Sequence, residues 1–200
     1  MNPGFDVIIA GIGGQGTILA SNILGEACLI EGRSIRGAET HGMAQRGGSV
    51  ESHIRIDGLF GPLIAPGTAD LLLAFDLLEA LRYSHYLKPS GKAIINRQLV
   101  VPTSVFMQKV PFPTERGIID ALHGRDLCVV DAEQIAIEAG SPLTLNIALL
   151  GAASCFLPLK RTSLATAIER LVPRKTIEMN LKAFALGEKA GSACTGNTKL

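Results

Sequence analysis

Short uninterrupted apolar runs alternate along this chain with stretches whose apolar residues recur every three to four positions. Asp6-Val-Ile-Ile-Ala10 is a continuous apolar run closed by glycine, the pattern of a strand buried on both faces. Gly11, Gly13, Gly14 and Gly16 follow, and then Thr17 to Glu31, where Ile18, Leu19, Ile23, Ala27 and Ile30 recur near the helical period and Gly32 supplies a stop. The segment predicts strand, glycine turn, helix. Ser34-Ile-Arg-Gly37 is a candidate second strand, and Val50–Ile56 alternates apolar and polar residues as a half-solvated strand does, ending at the turn pair Asp57-Gly58. Ala69–Phe75 predicts another buried strand, Leu77–Tyr86 a helix, Lys88-Pro-Ser-Gly91 a turn and Lys92–Asn96 a strand. Further on, Phe106–Val110 reads as a strand, Thr114–His123 as a helix, Asp126–Val130 as a strand and Asp131–Ala139 as a helix. The last third, Leu145–Phe156, Ser163–Leu171 and Thr176–Lys189, predicts helices only, before a small, polar tail from Gly191 to Leu200.

Strand and helix alternating across short turns imply an α/β fold: a single doubly wound, mostly parallel sheet flanked by helices, with a helical C-terminal third. No internal repeat or linker divides the chain. The expectation is one domain over residues 1–190 and a flexible tail over 191–200.

Composition narrows the function classes. Nineteen basic against eighteen acidic residues give a net charge of +1, which provides no electrostatic footprint for nucleic acid or an anionic membrane. Without Trp and with two Tyr, the chain is poorly equipped to stack bases. Charged residues are 18%, against about 25% in an average soluble domain, while apolar residues reach 47%. That balance points to surface buried against a partner chain. The longest uncharged stretch, Ala139–Leu159, is broken by Pro142, Asn146 and Pro158, so it predicts a buried helix and no membrane span. Cys28, Cys128, Cys155 and Cys194 lack the close spacing of a metal knuckle, redox dithiol or iron–sulfur ligand run. They read as small, reduced core residues. With only Met-Asn-Pro-Gly-Phe through the start of the first strand, no secretory signal is expected, and the expected location is cytoplasmic.

Gly11-Ile-Gly-Gly-Gln-Gly16 matches the G-x-G-x-x-G pattern in the setting that pattern requires. Glycines let backbone and phosphate approach, and the helix N-terminus offers N–H groups to an anion. Glu39, twenty-three positions after Gly16, could hold a ribose, which would make the chain an NAD-binding Rossmann-type redox module. Against this, Glu39 leads into a glycine-rich polar stretch, and no substrate domain or hydride-transfer pair is evident. The remaining readings are tight strand–helix packing with no ligand, and an anion or partner contact at the turn, in which Gln15 would take part.

Glu39-Thr-His-Gly-Met-Ala-Gln-Arg-Gly-Gly-Ser49 is the second unusual segment. Arg46 sets a guanidinium fork beside Gly47 and Gly48, whose backbone bends freely. His41 and Gln45 supply donors and acceptors, and Gly42 adds another flexible position. A loop in which Arg46 merely pairs with a carboxylate is equally consistent with this chemistry.

Gly-Ile-Gly-Gly-Gln-Gly at 11–16, taken with Thr-His-Gly-Met-Ala-Gln-Arg-Gly-Gly-Ser-Val at 40–50, resembles the γ-type component of 2-oxoacid:ferredoxin oxidoreductases, most closely the indolepyruvate branch. The resemblance spans roughly residues 5–190. It implies a subunit of an enzyme that oxidatively decarboxylates a 2-oxoacid with coenzyme A, giving acyl-CoA, carbon dioxide and two reduced ferredoxins. It also implies a larger α subunit carrying thiamine diphosphate, Mg2+ and [4Fe-4S] clusters. No catalytic residue or metal ligand is expected on this chain, nor activity without the partner. The site residues implied are Gly11, Gly13, Gly14, Gln15, Gly16, Glu39, His41, Gly42, Gln45, Arg46, Gly47 and Gly48. They are expected to meet at the carboxyl edge of the sheet, with Arg46 facing an anion.

Elsewhere the sequence assigns little. His53 reads as an exposed-face histidine on an alternating strand. His85 and His123 take no role, and Arg116, Arg125, Arg161, Arg170 and Arg174 read as a solvated face. Asn146, in an apolar helix, could bond across an interface or cap a loop.

Overall fold

The computed structural model describes residues 4–41, 48–101, 105 and 111–195. Its order is β1 (Phe5–Ile12), α1 (Thr17–Ile30), β2 (Ile35–His41), β3 (Ser49–Ile56), β4 (Ala69–Ala74), α2 (Leu77–Tyr83) and β5 (Leu87–Asn96). Then follow α3 (Glu115–Ala121), β6 (Asp126–Val130), α4 (Ala132–Ala139), α5 (Leu145–Ser154), α6 (Arg161–Leu171) and α7 (Ile177–Ala193). The strand predicted over Phe106–Val110 lies outside the described residues.

One six-stranded sheet has the order β2-β3-β1-β4-β5-β6. β1, β4, β5 and β6 run parallel, as the strand–helix alternation predicts. β3 returns antiparallel beside β1, and β2 lies antiparallel outside it, so the sheet is mixed. The strand alternation sorts the core: Val7 and Ile9 join α1 and the C-terminal helices on one face, while Ile8 and Ala10 join α2 and α3 on the other. Asp76 caps α2, accepting from the N–H groups of Leu78 (2.8 Å) and Glu79 (3.3 Å), which fixes where β4 hands over to the helix. Among the described residues, no helix is long and apolar enough to cross a membrane.

Residues Asn146–Ala153 of α5 are all buried, so an apolar run that resembles a span is the central core helix. α7 packs on it backbone to backbone. A side chain on Gly151 would overlap the Phe184 carbonyl, one on Gly187 the Ala148 carbonyl, and one on Gly191 the Ala152 carbonyl.

Four expectations need correction. β2 continues to His41, so Glu39 and Thr40 are strand residues, because the antiparallel pairing with β3 satisfies their backbone despite weak local propensity. β5 starts at Leu87 and takes in the whole of the predicted turn Lys88–Gly91, with a register irregularity against Ala69–Leu71 where Gly91 admits the Ala69 carbonyl (2.8 Å from a Cβ there). α7 extends to Ala193, so the expected tail is helical at its start. Cys128 and Cys194 form a disulfide joining β6 to the end of α7, across 66 residues of sequence. The cysteine spacing gave no hint of this, because the pairing is made by the return of α7 to the sheet edge. Cys28 does follow expectation as a buried thiol, and burial pushes its pKa up to about 11.

Candidate functional site at the carboxyl edge of the sheet

The glycine turn is closed from within by its own glutamine. Oε1 of Gln15 accepts the Ile12 N–H (2.7 Å), and Nε2 donates to the Phe75 carbonyl (3.4 Å) and to Oε1 of Gln98 (3.1 Å). Gln15 thus ties the turn after β1 to the ends of β4 and β5. Two of the glycines are required by close packing. A Cβ on Gly11 would stand 2.7 Å from Cγ2 of Thr17 and 2.9 Å from Oε1 of Gln15. Gly16, at φ 83°, has Asn146 against it, with Nδ2 donating to its carbonyl (3.4 Å). That is the role of Asn146: it spans α5 and the start of α1. Gly14 differs from both, with φ 105° and open space on the side where a Cβ would project. Packing therefore explains Gly11 and Gly16 and leaves the outer side of the turn accessible.

The second motif reaches the same edge. β2 and β3 are antiparallel neighbours, and their ends at His41 and Ser49 lie level with the carboxyl end of β1, since Ile12 pairs with Ser49 and His41 with Val50. The N–H of Gly13 donates to the Gly48 carbonyl at 2.9 Å, fastening the glycine turn to the residue that precedes β3. Gly42, Gln45, Arg46 and Gly47 lie outside the described residues. Glu39 does not join the turn. It pairs with Ser52, which pairs with Ile9, so it sits two strands from β1, about 10 Å across the sheet. A ribose-holding acid belongs at the end of the strand adjacent to β1. Here β3 occupies that place.

A row of side chains that sequence reading undervalued runs along β3 from these motifs toward the amino edge. Ser49, Glu51, His53 and Arg55 alternate along β3 onto the same face of the sheet as α2. The period of two marks them as one face, but it does not reveal that α2 reaches Ser49 while Ile64 and Tyr86 pack over His53. His53 is therefore buried, contrary to the exposed placement expected. Nδ1 of His53 accepts the Ile64 N–H (3.1 Å), which assigns the proton to Nε2, 3.2 Å from Oε1 of Glu51. Arg55 clasps Asp6 through two bonds of 2.9 Å and donates to the Gly61 carbonyl (3.0 Å). Glu79, 2% exposed, takes hydrogen bonds from the Ser49 hydroxyl and from Nη1 of Arg82 (2.7 Å), while the Tyr83 hydroxyl lies 2.8 Å from the Ser49 hydroxyl. Burial pushes the Glu79 carboxyl above the usual carboxylate range, although Ser49 and Arg82 pull it back. Burial also raises Asp76, against the three backbone N–H groups of Val100, Leu78 and Glu79.

Two other concavities offer weaker chemistry. One of about 1030 Å³ opens at the opposite, amino edge beside Leu59, Phe60 and Leu63. Its charged groups are largely matched internally: Asp6 with Arg55, Asp70 with Lys88, and Asp57 with Arg33 from outside the cleft. The other, of about 950 Å³, runs along the outer edge of β6 beside Cys128 and Cys194. Among the described residues, no group of three His, Cys, Asp or Glu side chains is placed to hold a metal ion.

Residues 6–190 match the family model described as pyruvate ferredoxin/flavodoxin oxidoreductase. The chain is 38% identical to indolepyruvate oxidoreductase subunit IorB of Thermococcus kodakarensis, over 96% of this chain and 98% of that one. Its fold resembles the crystal structure of a keto/oxoacid ferredoxin oxidoreductase gamma subunit from Geobacter sulfurreducens, with a TM-score of 0.70, 24% identity, and coverage of 94% and 99% of the two chains. It also resembles 2-oxoglutarate:ferredoxin oxidoreductase from Magnetococcus marinus, solved with 2-oxoglutarate, coenzyme A and succinyl-CoA bound. There the TM-score is 0.75 at 20% identity, and the whole of this chain corresponds to 32% of a longer one.

Proposed function

Because this chain belongs to the pyruvate ferredoxin/flavodoxin oxidoreductase family, we propose that it is the non-redox subunit of an indolepyruvate-type 2-oxoacid:ferredoxin oxidoreductase. In this reading a larger α subunit holds thiamine diphosphate, Mg2+ and the [4Fe-4S] clusters and passes electrons to ferredoxin. The assembled enzyme converts an arylpyruvate and coenzyme A to acyl-CoA and carbon dioxide, with two electrons leaving on two ferredoxins. The chain is inactive without that partner, and the complex is cytoplasmic.

The observation that supports a site here is the Gly13–Gly48 hydrogen bond, which joins the glycine turn to the last glycine of the second motif. In open α/β sheets, ligands sit outside the carboxyl ends of the strands. The residues fit a phosphate-bearing ligand such as coenzyme A: Gly14 faces open space at the positive end of the fourteen-residue α1. Arg46 supplies the counter-charge in this reading, and Gly47 and Gly48 allow the backbone to approach. The indolepyruvate branch is supported by the named relative and by the Gly42-Met43-Ala44-Gln45 sequence before Arg46. For the NAD alternative the position of Glu39 gives no support.

The test is anaerobic purification of the tagged chain from its native extract, followed by arylpyruvate- and coenzyme A-dependent dye reduction. Recovery of a larger iron-containing polypeptide with that activity is the expected result, and recovery of a colourless single chain rejects the proposal. Arg46→Ala examines the site itself. Unchanged coenzyme A affinity together with unchanged assembly would remove Arg46 from it.

A further inference from the structure

Glu79 lies on α2, away from both motifs in sequence, yet it holds the residue next to Gly48. Its carboxylate is 2% exposed and accepts from the Ser49 hydroxyl, which also contacts the Tyr83 hydroxyl at 2.8 Å. Arg82 fixes the other carboxylate oxygen at 2.7 Å. Ser49 is the first residue of β3 and pairs with Ile12, the last of β1. The adjoining Gly48 carbonyl receives the Gly13 N–H. A continuous set of bonds thus runs from α2 through Ser49 to the glycine turn. The charged and titratable groups around Glu79 are Arg82, Asp76 and Tyr83 on its own side, and Glu51 of β3 acts on Tyr83.

We propose that Glu79 is a positioning residue for the carboxyl-edge glycine turn: by holding Ser49 it sets the Gly48 carbonyl on the Gly13 amide and fixes the separation of the turn from the start of β3. A buried carboxylate suits this task. Removing one of its donors leaves an acceptor without a partner in a low-dielectric setting, so the arrangement with Ser49 engaged is strongly preferred. The inference rests on the reading that coenzyme A engages this edge, and it extends that reading to a residue that touches no ligand.

The test uses the assembled complex with Ser49→Ala, Glu79→Gln and the conservative Ser49→Thr. Hydrogen exchange of the peptide covering Gly13–Gly16 reports the junction directly, and the KM for coenzyme A reports its use. Ser49→Ala is expected to speed exchange about tenfold, the equivalent of about 1.4 kcal/mol, and to raise the coenzyme A KM more than it lowers kcat. Glu79→Gln should act in the same direction, and Ser49→Thr should restore both readouts. Unchanged exchange in Ser49→Ala and Glu79→Gln overturns the positioning role whatever the kinetics. Faster exchange with an unchanged KM upholds it and instead removes coenzyme A from this edge.

Discussion

Nδ2 of Asn146 stands 3.4 Å from the Gly16 carbonyl oxygen, and a Cβ on Gly16 would approach that same nitrogen to 2.6 Å. The last glycine of the turn is therefore held by the central core helix as well as by its own positive φ of 83°. A phosphate-binding role alone would not require this contact.

Gly16→Ala should destabilise the chain by about 2–4 kcal/mol, combining backbone strain with overpacking. Gly14→Ala meets open space and carries only the strain of its φ, about 1 kcal/mol. Combining Gly16→Ala with Asn146→Ala should recover part of the loss, since the crowded amide is removed. Urea denaturation of the parent, the two glycine variants, Asn146→Ala and the double variant checks this. Additive losses in the double variant would show that Asn146 is not the group Gly16 must accommodate.

Glycine matters in the opposite sense in two of the helices. Gly187 sits against the Ala148 carbonyl, a backbone atom that cannot rotate away, whereas Gly25 in α1 has nothing nearer than 3.9 Å to a Cβ. Gly187→Ala should cost about 3 kcal/mol or more by forcing α5 and α7 apart. Gly25→Ala should stabilise by about 0.5–1 kcal/mol through helix propensity alone. Thermal melts of both variants decide it, and equal shifts of the same sign would contradict the packing described.

These contrasts show why part of the molecule was legible in the sequence. The buried strands at Asp6–Ala10 and Ala69–Phe75 and the glycine turn follow from period and turn chemistry, which are local. That Glu39 falls two strands from the turn is set by β3 entering between β1 and β2, a choice the chain makes through pairing and not through propensity. His53 and Glu79 were missed for a related reason. Alternation identifies a polar face but not the distant segments that pack on it, Ile64 and Tyr86 over His53 and Glu79 against Ser49. The Cys128–Cys194 bond joins elements 66 residues apart, and no spacing rule reaches that far.

Breaking that disulfide should lower stability by about 2–4 kcal/mol, because the bond closes a long loop of the unfolded chain. Cys128→Ser should melt lower than the parent and be indifferent to a dithiol reductant, while the parent should fall toward it when reduced. The α5–α7 seam, held by Gly151, Gly187 and Gly191, does not involve either sulfur and should keep α7 helical in the reduced protein. Circular dichroism against reductant concentration tests both parts, and loss of helix before the main transition would count against the second.

The Asp6–Arg55 pair gives a different kind of prediction. Both partners are largely buried, with two bonds of 2.9 Å between them, and Arg55 also holds the Gly61 carbonyl. Arg55→Met strands the Asp6 carboxylate and frees the apolar loop at Leu59–Leu63, at a cost of about 2–4 kcal/mol. Adding Asp6→Asn should return a large share of that loss, because the stranded charge is its main source. A double variant no more stable than Arg55→Met would place the cost in the loop instead.

The pH dependence of stability should carry the mark of Glu79. Burial raises its carboxyl in the folded chain, with Ser49 and Arg82 as opposing influences. A carboxyl raised on folding binds its proton more tightly folded than unfolded, so the folded state carries more protons between the two values, and stability falls as pH rises through that window. The penalty is absent below the ordinary carboxylate range and complete above the raised value. Asp76 adds to the same slope, whereas Asp57, lowered chiefly by its hydrogen bond from Arg33, contributes stability that is lost only as pH falls below the ordinary range. Glu79→Gln removes one of these ionisations. Its stability relative to the parent should therefore improve as pH is raised from the acid side toward neutrality, whatever fixed difference the amide introduces. Urea midpoints for the two proteins across that range supply the measurement, and parallel curves would mean that Glu79 does not titrate differently in the folded chain.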